Sequence, residues 1–88
     1  MKIGVLASAY GRQVAPHGHS IHAAVQVIAS QSPATFPMAE YLLRHQPGKQ
    51  YFHTEMMQPK RGVIALPTAP GLGFALDDAK VEERIELI

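Results

Sequence analysis

The sequence predicts an α/β fold. Three observations carry that expectation: an apolar stretch stops at Pro16, an amphipathic helix starts after Ser20, and a second apolar run covers residues 36–43. A strand, a helix and a second strand in this order form a βαβ unit, which is parallel and right-handed in nearly every protein that contains one.

Each element has a local cause. Ile3, Leu6, Ala7 and Tyr10 fall at helical spacing, and Gly11 stands where a C′ glycine ends a helix, so residues 1–10 read as helical. No Ser, Thr, Asp or Asn precedes that helix, which reads as an element cut into rather than as a designed beginning. The strand at 14–16 ends at proline, which has no N–H for a ladder, and this leaves His17 where strand gives way to loop. Ser20 is a suitable N-cap, and Ile21, Ala24, Val25 and Ile28 recur at i, i+3, i+4 and i+7 through a helix over 20–30. Residues 31–35 are loop, and the run at 36–43 reads as a buried strand with one acidic residue, Glu40. Further on, 44–61 is polar with proline and glycine turns around a short strand at 51–57. Residues 62–67 read as a strand, 68–73 as a glycine-rich turn, and 77–85 as a short helix with an aspartate at its start.

Composition narrows the function classes. Eighty-eight residues allow one small domain with a modest core. A net charge of +1 with 17% charged residues gives no basic stripe, so nucleic acid is not an expected partner. No apolar run is long enough to span a membrane. The lack of cysteine removes disulfides, thiolate nucleophiles and Cys-type zinc sites, and fits a reducing cytoplasm, the expected location.

Two residue types carry potential chemistry. His17, His19 and His22 form an H-x-H-x2-H cluster whose imidazoles could bind zinc if they converged, but the cluster crosses a strand end, a turn and a helix start. Individual roles are more natural. His17, at the strand end, suits a general base because imidazole titrates near neutral pH; the bland alternative is a solvent-facing histidine. Glu40 lies within an apolar run, so its carboxylate must reach a polar cleft or be satisfied by a backbone N–H or an arginine. Gly71-x-Gly73 is too short for a dinucleotide fingerprint and reads as a turn. His45 and His53, in polar surroundings, read as surface residues, and Met56 and Met57 as gap fillers.

Ala15-Pro16-His17-Gly18-His19-Ser20, the helix after it, Glu40, and the tail from Gly62 through Pro70-Gly71-Leu72-Gly73 to Asp77 together resemble the carboxy-terminal part of the enolase superfamily. Within it, the sequence is most similar to the mandelate racemase and muconate-lactonising group, particularly its acid-sugar dehydratases. The resemblance implies a partial TIM-type (β/α) barrel: the last helix-strand-helix-strand portion over 1–43, and a C-terminal tail over 44–88 packing towards a capping domain. It matches His17 to the catalytic histidine that abstracts a proton α to a carboxylate or helps hydroxide leave, with His19 as the neighbouring alternative and otherwise a substrate contact. Glu40 matches the acidic residue that hydrogen-bonds the substrate carboxylate or the enediolate.

The family's cofactor is Mg²⁺, which stabilises the enediolate. The resemblance puts its three acidic ligands, a lysine pair and the aspartate that orients the histidine on strands before residue 1, so no metal ligand and no bound cofactor is expected in this chain alone. A complete barrel takes about 250 residues. The expectation is therefore a fragment of an acid-sugar dehydratase-like lyase, inactive by itself, with an acid sugar as the substrate of the whole enzyme. The competing readings are a non-catalytic remnant that self-associates or pairs with the missing barrel portion, and a small metal-binding module built on the His cluster.

Overall fold

Among the residues that a computed structural model describes, 1–18 and 20–88, the largest ordered unit is the helix α2, Ile21–Ala29. Its stripe follows the predicted spacing: Ile21 and Val25 are buried, and Ala24 and Ile28 are partly covered. Ser20 occupies the N-cap position, but its hydroxyl makes no capping bond; the predicted cap holds in place and not in chemistry. Phe36 completes the apolar core with Ile21 and Val25.

Helix α1, Lys2–Ala9, ends as Gly11 requires. Gly11 takes φ 60°, and the N–H groups of Gly11 and Arg12 return to the carbonyls of Ser8 and Ala7 at 3.0 and 2.8 Å. That pair of bonds is a Schellman closure, and the left-handed residue in it favours glycine. The packing of α1 departs from its pattern. Ile3, Leu6 and Tyr10 are exposed, while Gly4 is buried so tightly that a Cβ there would lie 2.8 Å from the Phe36 ring.

The predicted strands are the main correction. Among the described residues the only bridges are isolated ones, and neither 14–16 nor 36–43 forms a ladder. One backbone bond ties the first segment to the residue just before the second, from the Val14 N–H to the Thr35 carbonyl at 2.7 Å. Pro16 and Pro37 each remove a ladder donor, and a two-stranded parallel pair with no covering neighbours has too little to hold it flat. The two segments still run in the same sense, since 14 lies against 35 and 17 against 40. The expected βαβ crossover survives as a path without its sheet.

The second half wraps back onto α2. Residues 52–54 pair antiparallel with 75–77 through Thr54 N–H to Ala75 at 3.0 Å and Asp77 N–H to Phe52 at 2.7 Å, so the expected strand at 51–57 shrinks to a single bridge. Expected as a strand start, Gly62 is instead a turn residue: Lys60 and Val63 exchange backbone bonds around Arg61 and Gly62, both at positive φ. Reversing the chain there leaves 64–67 outside any bridge. A single helical turn, α3 (Gln46–Lys49), stands where turn chemistry was expected, started by Pro47 at a position that needs no donor. Buried Gln50 bonds both the N–H and the carbonyl of Met57 through its amide, substituting for a backbone partner and closing the intervening loop. The predicted helix at 77–85 is only a 3₁₀ turn, Asp78–Lys80, capped by Asp77, because Val81 is already extended.

The result is an open shape. The radius of gyration is 15.0 Å, against about 12 Å for a compact chain of this length. The accessible surface is 7145 Å², against about 5,100 Å² for a folded monomer of this mass. No helix among the described residues is long and apolar enough to cross a membrane.

The contact between Gly4 and Phe36 joins α1 to the core. Replacing Gly4 with Val forces the Phe36 ring away from Ile21 and Val25, and should cost about 1–3 kcal/mol, read as a lower urea midpoint. Leu6→Ala, on the open face, should stay within about 0.5 kcal/mol of wild type.

Candidate functional site

The chain brings His17 and Glu40 together. They are 23 residues apart, yet Nδ1 of His17 lies 2.6 Å from Oε2 of Glu40. The positions follow from the crossover: both segments leave the Val14–Thr35 bond in the same direction, and α2 spans the gap between them. Lys49 of α3 donates from its ammonium to the Gly18 carbonyl, next to His17. On the other side, Tyr41 donates from its hydroxyl to the Met57 carbonyl at 3.0 Å and holds the backbone beside Glu40.

Both partners reach solvent, with side chains 76% and 38% exposed. An exposed pair of this kind adds little stability; what it supplies is geometry. An ionised carboxylate can only accept a hydrogen bond, so in this contact the proton belongs on Nδ1, and in the neutral form of the ring Nε2 keeps its lone pair. Glu40 is thus paired, as its place in an apolar run demanded, but its partner is a histidine rather than an arginine or a backbone N–H. Its segment is extended and Glu40 itself is exposed, not inside a buried strand.

The H-x-H-x2-H cluster does not act as a unit where it is described. His17 turns to Glu40, whereas His22 is 3% exposed and turns into the packing of α2. His19 lies outside the described residues. Among the described residues no three His, Cys, Asp or Glu side chains come together to hold a metal ion.

A second imidazole pair was not anticipated. His53, expected at the surface, is half-buried and stacks on Phe74 with ring centroids 4.1 Å apart, while His22 meets His53 edge-on at 4.8 Å. His45 is exposed, as expected. The only sequence signal for the stack was two histidines with an aromatic between glycine and alanine at Phe74, too common a combination to stand out. These rings separate two cavities. One, of about 720 Å³, lies between His22, Met56, Met57, Pro67 and Phe74; the other, of about 370 Å³, lies under Gly18 and Ser20 beside Lys49 and His53. Met57 is half-buried and lines the first cavity, whereas Met56 is largely exposed at its rim.

Burial lowers the pKa of His22 below 6.5, and neighbouring His53 lowers it further; His53 is lowered by burial and then by Lys80. Lys80 donates to the His53 carbonyl at 3.4 Å and pairs with Asp77 at 3.7 Å, and Glu55 faces the His22 cavity. A histidine whose folded pKa is depressed takes up its proton more readily when unfolded. The stabilisation from the neutral rings is therefore complete above pH 6.5 and declines as the pH falls from there towards the lowered values. The urea midpoint should fall between pH 7.5 and pH 5.5, and substituting both histidines with leucine should flatten that dependence.

The model of the "Enolase C-terminal domain-like" family matches residues 1–80. The D-galactarolactone cycloisomerase of Agrobacterium fabrum is 33% identical over 95 residues, covering 96% of this chain and 25% of its own length. The chain thus spans about a quarter of the length of the curated relative it matches. No solved structure matches it significantly.

Proposed function

Because the chain belongs to the enolase C-terminal domain-like family, in the mandelate racemase and muconate-lactonising group of the enolase superfamily, we propose that it supplies the proton-transfer histidine of an enzyme acting on acid sugars or their lactones. The observation that carries this reading is the contact between His17 and Glu40, which leaves one imidazole nitrogen free at an exposed turn. The family's fold is an α/β barrel. In this reading residues 1–43 are its terminal βα units and 44–88 the tail that leads towards a capping domain.

The chemistry assigned to the chain is proton transfer. Nε2 of His17 takes the proton from the carbon α to the substrate carboxylate, and the electron pair of that C–H bond moves into an enediolate. When the C–O bond at the neighbouring carbon breaks, the enediolate pair forms the C=C bond between the two carbons, the C–O pair leaves with the oxygen, and the imidazolium returns a proton to it. Water leaves from an acid sugar; the ring oxygen leaves from a lactone such as the one in the relative's name. The free oxygen of Glu40 faces the same solvent and is available to a hydroxyl or a protonated carboxyl group of the substrate. Enolase superfamily members generally use Mg²⁺, and the described residues do not fit that ion, since no set of three ligands converges.

Grafting is the direct test. The matching quarter of the cycloisomerase is replaced by residues 1–88, and turnover of D-galactarolactone and α-proton exchange in D₂O are followed. The chimera is expected to exchange and turn over, and His17→Asn to lower both by about 10²–10⁴-fold with little change in KM. Glu40→Gln should weaken both turnover and binding. Full activity in the His17→Asn chimera would remove His17 from the reaction.

The open surface favours a second property, association. Ile3 and Leu6 on α1 and Tyr10 at its C-cap form an exposed apolar face, and the chain shows about 2,000 Å² more surface than a folded monomer of its mass. Alone, the 88 residues should self-associate and show no turnover. Sedimentation equilibrium at micromolar concentration should give a mass above 9.6 kDa, and a monodisperse monomer with a sharp melt would rule this out.

A further inference from the structure

We propose that the three-ring stack of His22, His53 and Phe74 is an acid-released latch: on acidification it lets residues 74–80 lift away from α2 and from 52–54, while α2 and its apolar core stay formed. The latch depends neither on the role of His17 nor on the substrate class.

Three separate stretches of chain meet at these rings. His22 is the second residue of α2, His53 lies in the antiparallel bridge to Leu76, and Phe74 stands just before that bridge. Ring centroids are 4.8 Å apart for His22 and His53, 5.0 Å for His22 and Phe74, and 4.1 Å for His53 and Phe74. His22 is 3% exposed, and Nδ1 of each histidine is buried with no hydrogen-bond partner among the described residues. An unpartnered buried nitrogen is costly even on a neutral ring. An imidazolium carries an N–H on both nitrogens, so from either tautomer protonation leaves Nδ1 as a buried donor with nothing to accept from it.

The charged neighbours do not offset that cost. Apart from His22, α2 carries no titratable side chain over residues 21–29. On the side of 52–55, Glu55 lines the wide cavity beside His22, but the ion pairs among the described residues are His17–Glu40, Lys80–Asp77 and Arg84–Asp78, none of them to these rings. From 77–80, Lys80 adds positive charge against His53, and Asp77 and Asp78 are taken up by Lys80 and Arg84. From α3, Lys49 brings a second positive charge to the cavity it shares with His53. Burial first, then His53 for His22 and Lys80 for His53, holds both pKa values below 6.5. Closure is therefore fully favoured above pH 6.5 and weakens as the pH falls from there towards the lowered values.

The latch can open without the core. Residues 74–80 are tied to 51–54 by the Thr54 N–H to Ala75, the Asp77 N–H to Phe52, and Lys80 to the Tyr51 and His53 carbonyls at 3.0 and 3.4 Å. None of these bonds involves α2, and the buried apolar residues Ile21, Val25 and Phe36 belong to neither stretch. Lifting 74–80 takes Phe74 off both imidazoles and gives water access to the unpartnered nitrogens.

Hydrogen–deuterium exchange of the 88-residue chain at pH 7.5 and pH 5.5, read by mass spectrometry and corrected for the intrinsic pH dependence of exchange, tests the latch. A histidine that stays neutral when closed and titrates near 6.5 when open raises the opening constant up to about 10-fold over this interval, and two raise it up to about 10²-fold. Peptides covering 51–57 and 74–80 should both exchange faster at pH 5.5 by a factor in that range, and a peptide covering 21–30 should not change. His53→Phe, which keeps an aromatic ring in the stack, should remove up to about 10-fold of the effect. His22→Leu with His53→Phe should remove all of it. Equal acceleration in all three wild-type peptides would mean that the whole fold opens together, and no acceleration would mean that the rings do not titrate on opening; either overturns the proposal. So does an acceleration that persists in the double variant. If the double variant does not fold, the wild-type pattern and His53→Phe still decide.

Discussion

The bond from the Val14 N–H to the Thr35 carbonyl is the constraint on which the arrangement depends. It closes the path around α2 and sets the register of the two extended segments, so that position 17 comes to lie against position 40. Ile21, Val25 and Phe36 hold α2 and the second segment together behind it. In a sheet this work would be shared by a ladder of several bonds. Here one bond and three apolar side chains do it, with Pro16 and Pro37 limiting what could be added.

Environment separates the chain's histidines into two chemical kinds. His17 is exposed, paired with a carboxylate and supplied with a free nitrogen. His22 and His53 stand among apolar and aromatic side chains, where burial works against their charged form. The first arrangement suits moving a proton, and the second suits packing neutral rings. Four residues separate His17 from His22, but the start of α2 turns one outward and the other in.

The open surface and the family membership describe the same situation. A barrel layer buries the outer face of each helix against neighbouring helices and the inner face against strands. With α1 meeting Phe36 at Gly4, most of its apolar stripe is uncovered. The cycloisomerase of Agrobacterium fabrum is about four times as long, and this chain matches about a quarter of it.

The sequence by itself determined both longer helices, the Gly11 closure, the stripe of α2 and the direction of the crossover. These are legible because helix periodicity and glycine conformation are local properties, readable within a few residues. It also carried the resemblance to the enolase superfamily, which the family match bears out. What it could not decide was whether the apolar runs at 14–16, 36–43 and 62–67 would become strands. A strand exists only with a partner, and pairing depends on residues far away in the chain or outside it. Nor could it show that Glu40 meets Nδ1 of His17, that Lys49 holds Gly18, or that His53 leaves the surface to stack on Phe74. Each of those contacts joins distant positions across a few ångströms, and only the tertiary path of the chain sets such distances.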